Sequence, residues 1–187
     1  MLKITKNIFL ISLFFTFMSC DQTTQDVNST NSIVIIKVFS SLTCPHCADF
    51  HGEVYEKLKK EYISVGRVKF EHRPFPLDLA ALNAEKILQC RTNPQTEMNF
   101  LTELYKKQNK WAVGSEINVI NRSIKNIGKE FDLTEDQMNK CLVDKKLEEK
   151  ILNERIEAQK NYNVKSTPTI YLNKKKYKGK RDYKSFK

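Results

Sequence analysis

A chain of 187 residues with a formal charge of +10, from 32 basic and 22 acidic side chains, holds one domain with its own core and is too short for two. Its lysines are spread along the chain rather than gathered on a stripe with interleaved aromatics, which excludes a nucleic-acid footprint. The densest basic run, "NKKKYKGKRDYK" at 173–184, reads as a solvated hairpin and tail.

The chain opens with Lys3 and Lys6, an apolar run of 11 residues from Ile8 to Met18, and Ser19-Cys20. That run fits the ~7–15 residues of an export-signal core and falls short of the ~20 that cross a bilayer. "FMSC" resembles a lipobox, with Phe17 where leucine is usual. The expectation is a lipoprotein-type signal peptide over 1–19, lipidation of Cys20, and a protein held at a membrane on its periplasmic side. Ordinary signal cleavage and a retained anchor are the alternatives. Loss of Lys3 and Lys6 would lower the charge to +8. An oxidising compartment would permit disulfides among the other four cysteines. Residues 20–31 are polar and aperiodic, as in a flexible tether, which leaves 32–187 for the folded domain.

"SIVIIKVF" at 32–39 is a β-branched run suited to a strand buried on both faces. It breaks at Ser40-Ser41 and enters "SLTCPHCADFHGEV". Phe50, Val54, Leu58 and Tyr62 then recur near helical spacing, which places Cys47 in a helix's first turn. Val68, Phe70 and His72 alternate in a second strand, stopped by the prolines of "RPFPLD". From about 77 to 161 the pattern is helical. Ala80, Ala84, Ile87 and Leu88 share a face, "TNPQ" supplies a cap and a first-turn proline, and Thr134 with Gln137 forms a capping box ahead of Met138, Cys141 and Leu142. "TPTIYL" at 167–172 is a third strand, "NKK" a turn and "KYKG" a short partner. The order predicts an α/β, thioredoxin-like fold with an inserted helical subdomain at about 77–161.

Two cysteines spaced C-x-x-C on a helix's first turn have Cα atoms about 5–6 Å apart, inside the disulfide window. Cys44, at or just before the helix start, meets unpaired N–H groups and the helix dipole, which favour a thiolate. Pro45 suits the first helical position, where an N–H would be orphaned anyway. His46 would add positive charge and a donor. Stabilising the reduced thiolate makes the disulfide more oxidising, so the features point to an oxidant. A zinc site needs four ligands, and the chain offers one pair with His46 and His51 nearby. An inert staple would close too short a loop to stabilise much. No metal and no cofactor beyond the redox-active disulfide is expected. His51 and His72 read as satisfied core histidines, and Trp111 as core or groove lining.

"TCPHCADFH", with "FPLD", "STPT" and "KKYKG" later in the chain, resembles the DsbA family of bacterial thiol:disulfide oxidoreductases, in its alphaproteobacterial-type branch, from about Ile33 to Gly179. The resemblance implies an oxidase that gives its Cys44–Cys47 disulfide to reduced, unfolded secreted proteins and is reoxidised by a quinone-linked membrane partner. It makes Cys44 the nucleophile, Cys47 its buried partner, and Thr167-Pro168 the cis-proline loop that pairs with substrate. It also implies a Cys90–Cys141 bridge between two helices, the alternative being two separately buried thiols. An isomerase or reductase, or a surface lipoprotein without enzymatic work, are the competing functions. Two departures stand out. Val38 occupies the position, six residues before Cys44, where the family often buries an acid, so the proton route to Cys47 is open, with water or Lys37 as substitutes. The helix expected after "KYKG" is shortened to "RDYKSFK", which would leave one sheet face thinly covered unless the chain continues.

Overall fold

A computed structural model describes residues 33–90 and 93–186. The expected signal segment, Cys20 and the tether lie outside the described residues. Four strands form one sheet: β1 (Val34–Ser40), β2 (Val68–Pro74), β3 (Thr169–Leu172) and β4 (Lys175–Lys176), in the order β2-β1-β3-β4. β1 runs parallel to β2 and antiparallel to β3, with Val38 opposite both His72 and Ile170. A parallel pair needs a crossover, and the helix that follows the C-x-x-C motif supplies it. That helix is continuous over 45–63 but changes pitch. Its stretches α1 (Pro45–Phe50) and α2 (Glu56–Leu58) alternate with π-helical turns at His51–Tyr55 and Lys59–Ile63.

Successive side chains of β1 point to opposite faces. Ile36 and Val38 pack with Phe50, Val54 and Leu58 of the crossover helix, whereas Phe39 packs on the other face with Phe75, Ala158 and Val164. Lys37, on the Phe39 face, donates to the Tyr162 hydroxyl at 2.9 Å. It is thereby turned away from the face that holds Val38, and the substitution of Lys37 for the missing acid does not stand.

Between β2 and β3 the chain is helical: α3 (Leu79–Leu88), α4 (Pro94–Lys106), α5 (Gln108–Trp111), α6 (Ile117–Lys129), α7 (Glu135–Val143) and α8 (Lys145–Tyr162). Local chemistry sets the starts. Asp78 accepts from the Ala81 N–H at 2.7 Å, Asn93 caps α4 ahead of Pro94, and Thr134 with Gln137 closes a capping box on α7. Each such cap is worth about 1 kcal/mol. The helices bury Leu88, Phe100, Leu104, Trp111, Ile124 and Met138 in a core that also takes in Leu42, Cys44 and Cys47. The motif therefore sits where the sheet meets the helical block.

One expectation needs adjusting. The short partner strand is Lys175–Lys176 rather than "KYKG", because the turn is tighter, with Asn173 at φ +54. Asparagine tolerates that left-handed conformation. The last described helix, α9 (Tyr183–Phe186), is four residues long and sets Phe186 against Phe50 and Tyr177, at ring separations of 5.6 and 4.5 Å.

Candidate active site

β1 ends at Ser40, and the loop after it is tied down from several directions. Thr43 Oγ1 donates to Asp78 Oδ2 at 2.7 Å, and Ser41 Oγ accepts from the Leu77 N–H at 3.3 Å. Gln108, from the start of α5, is buried and donates through Nε2 to the carbonyls of Leu42 (2.7 Å) and Cys44 (3.1 Å). The helical block thus holds the backbone on which the first cysteine sits. Cys44 is the N-cap residue, with extended backbone, and Pro45 begins the helix. His46 is exposed, its ring 3.8 Å from Asp49. Its imidazole is turned to solvent beside a carboxylate, and what reaches the Cys44 sulfur is the backbone N–H of His46.

The peptide bond Thr167–Pro168 is cis, and the Thr167 carbonyl oxygen lies 3.6 Å from Cys44 Sγ. The Thr167 hydroxyl is buried with no other hydrogen-bond partner and faces both sulfurs. The two thiols, both unbridged, are 8% and 2% exposed. Their environments drive them apart. The Cys47 thiol, then Thr167 and the N–H groups of Cys47 and His46, donate toward Cys44 and bring its pKa down to about 5 against the opposing effect of burial. Burial, reinforced by the neighbouring Cys44 charge, pushes Cys47 well up. The reduced site is a Cys44 thiolate beside a Cys47 thiol. Cys90 and Cys141 are bonded to each other within the helical block, Cα atoms 6.0 Å apart.

The face of the sheet below the sulfurs carries polar groups that hydropathy patterning does not single out. His72 Nε2 bonds to Glu85 Oε1 of α3 at 2.6 Å, and its Nδ1 is 3.0 Å from Ser40 Oγ. Glu85 is completely buried and its second oxygen has no partner. Burial opposes a charge on His72, yet the Glu85 carboxylate prevails and raises its pKa. Tyr105 of α4 is also buried, its hydroxyl has no hydrogen-bond partner, and burial raises its proton affinity well above the usual phenol. His51, in the first π-helical turn, stacks on Tyr55 at 4.2 Å and bonds to Thr102 Oγ1 at 2.9 Å. Burial brings its pKa to about 3 and keeps the ring neutral. No group of three or more metal-ligating side chains occurs among the described residues.

With this geometry in place, the profile of the family described as thioredoxin matches residues 23–187. The chain belongs to the thioredoxin family. Within it the chain is a DsbA-like member: the crystal structure of Wolbachia pipientis alpha-DsbA1 superposes with a TM-score of 0.74 at 29% identity, covering 82% of each chain. Disulfide bond formation protein D of Bacillus subtilis is 26% identical over 163 residues, 82% of this chain and 69% of its own length. A Rickettsia bellii chain provisionally named a protein-disulfide oxidoreductase is 28% identical over 151 residues, 78% of this chain. This chain spans about half the length of such Rickettsia relatives, 55% in that case.

As a thioredoxin-family site, the arrangement brings Cys44, Cys47 and the Thr167–Pro168 bond together and leaves the His46 ring outside. Gln108 was not foreseeable as a partner of the motif, nor Glu85 as a partner of His72, since windowed patterns do not reveal pairings this distant in sequence. The one signal within reach was Glu85-Lys86 between Ala84 and Ile87, an acid–base pair inside an apolar helix face.

Proposed function

We propose that this chain is an exported thiol:disulfide oxidoreductase that acts as an oxidase, donating its Cys44–Cys47 disulfide to reduced secreted proteins. The observation that supports this best is the opposed behaviour of the two sulfurs. With Cys44 near 5, a Cys44 thiolate is a good leaving group at neutral pH, and the reduced form is stabilised relative to the disulfide. A substrate thiolate attacks Cys44 Sγ. The Cys44–Cys47 bond breaks, and Cys47 leaves with the electron pair and takes up a proton. A second substrate thiolate then attacks the substrate sulfur of the mixed disulfide and expels Cys44 as its thiolate. The substrate leaves oxidised by two electrons and the protein holds them. Thr167 and Pro168 would offer backbone to the substrate strand beside Cys44, next to a groove lined by Ser166, Lys176 and Arg181. The rest of the reading is a Cys20 lipid anchor on the periplasmic side and a quinone-linked membrane partner that reoxidises the pair. It rests on the sequence and the family.

The test is turnover of reduced RNase, of scrambled RNase and of insulin by protein lacking residues 1–20, beside Cys44→Ala. Reactivation of reduced RNase that disappears in Cys44→Ala is the expected result. A reduction potential near −270 mV rather than near −120 mV would make the protein a reductase or isomerase instead.

A further inference from the structure

The groove that starts at the cis-proline has a basic wall. About 170 Å³ in volume, it is lined by Ser166, Pro168, Lys176, Lys178 and Arg181, so it opens next to the Thr167 carbonyl that lies 3.6 Å from Cys44 Sγ. The far wall is folded chain. The Tyr177 N–H donates to the Ile170 carbonyl at 2.8 Å, and the Tyr177 hydroxyl donates to the Lys180 carbonyl at 2.8 Å. Gly179 passes so close over that ring that a Cβ there would collide with the hydroxyl. Asp182 accepts from the N–H and the hydroxyl of Ser185, both at 2.9 Å, and α9 closes the segment by setting Phe186 on Phe50 and Tyr177. These contacts fix the backbone that carries Lys178 and Arg181.

The charge on this wall is not neutralised from within. Among the described residues, lysines elsewhere meet carboxylates: Lys107 meets Glu103 and Glu130, Lys125 and Lys129 share Glu135, and Lys86 meets Glu148, whereas Lys178 and Arg181 meet none. From 163 to 187 the sequence has nine basic side chains and one acid, Asp182, which is occupied by Ser185. Lys176 donates to the Asn163 carbonyl at the end of α8, at 3.1 Å, while Lys178 and Arg181 stand exposed.

We propose that Lys178 and Arg181 make this groove a subsite for a carboxylate side chain beside the substrate's cysteine, so that thiols set in acidic segments are oxidised in preference to others. The inference rests on the oxidase reading above and names its substrate class. Extended chain advances about 3.3 Å per residue, so a cysteine held at Cys44 brings its flanking side chains to the mouth of a groove that opens at Pro168. A guanidinium pairs with a carboxylate through two parallel hydrogen bonds, and a positive wall also draws in the attacking thiolate, itself an anion. The placement against Pro168, beside the reacting sulfur, favours a substrate side chain over a bilayer surface as the partner of these charges.

The test uses dithiol peptides that differ only in the residues flanking each cysteine: aspartate, its uncharged isostere asparagine, or lysine. Oxidised full-length protein is mixed with each peptide at neutral pH, quenched with acid at intervals, and the peptide disulfide is measured by mass spectrometry. Flanking charge also alters the thiol itself, so each rate is divided by that of the same peptide with uncharged hydroxyethyl disulfide. The aspartate peptide is expected to react about fivefold faster than the asparagine peptide, with the lysine peptide slowest, and salt at about 0.5 M should remove most of the gap. Lys178→Gln with Arg181→Gln should bring the aspartate peptide down to the asparagine rate; both side chains are exposed, so the core is untouched. Lys174→Gln with Lys175→Gln, outside the groove, should keep the preference. Equal loss in the two double variants would mean diffuse attraction and overturn the subsite. Equal wild-type rates on the aspartate and asparagine peptides would overturn it too, and binding of wild type but not of Lys178→Gln with Arg181→Gln to phosphatidylglycerol vesicles would then assign the charges to a membrane surface. Wild-type protein that oxidises none of the peptides would overturn the oxidase reading itself, and the subsite with it.

Discussion

Lowering the pH should cost the reduced protein stability that the oxidised protein keeps. Cys44 has its folded-state pKa depressed to about 5, whereas a free thiol titrates near 8.5. A depressed pKa contributes stability that is complete above the unfolded value and vanishes as pH falls through the folded one. Between pH 7 and the folded value of about 5 lie two decades, at most about 2.7 kcal/mol at ~1.4 kcal/mol per decade. Cys44 keeps some solvent contact, which screens its partners, so about 1–2 kcal/mol is the expected loss between pH 7 and pH 4. Cys47 adds nothing in this window because it is a thiol throughout, and the carboxylates titrate in both redox forms and cancel. Urea unfolding of the reduced and the oxidised protein at both pH values isolates the contribution as a difference of differences. A reduced-minus-oxidised gap that stays constant from pH 7 to pH 4 would refute the assignment of the thiolate to Cys44. Because the Cys47 thiol is the first of the donors, Cys47→Ala should also raise the midpoint of the thiolate absorbance.

Gln108→Ala removes both hydrogen bonds to the motif carbonyls; the Cys44 carbonyl keeps the N–H groups of Cys47 and Ala48, while the Leu42 carbonyl loses its donor, so a loss of about 1–3 kcal/mol is expected in denaturant melts; a variant as stable as wild type would show that water replaces the amide. Cys90→Ala with Cys141→Ala opens a loop spanning 51 positions, worth roughly 4 kcal/mol in the chain-entropy model. Thermal melts should show that loss while the alkylation rate of Cys44 stays unchanged, and a changed rate would mean that the bridge tunes the site.

Much of this was legible in the sequence because it is local. The β-branched run of β1, Asn93 and Thr134 as caps, and proline directly after Cys44 each act on their own few residues. That Val38 stands where the DsbA family often buries an acid came from the resemblance alone. His72 beside it was not legible, because it reaches Val38 through strand pairing and Glu85 reaches His72 through packing of α3. Helix periodicity misled there: α3 is enclosed around most of its circumference, so Glu85 and Lys86 are buried although they stand off the apolar face. Lys86 is satisfied by the Leu142 carbonyl and Glu148, at 2.6 and 2.8 Å. Both partners lie more than 50 residues away, beyond any windowed reading. The π-helical turns likewise follow from no residue in "HGEVY" or "KKEYI" that we can point to.

Trp111, the only tryptophan of the chain, is 1% exposed, donates to the Leu104 carbonyl at 2.8 Å, and shares its core with Cys44 and Cys47. The indole is enclosed in the same apolar cluster as the redox pair, so its emission is expected to change when Cys44 and Cys47 are oxidised and again when the helical block lets go of the motif; a fluorescence trace that stays flat on reduction would show that the ring does not sense the sulfurs.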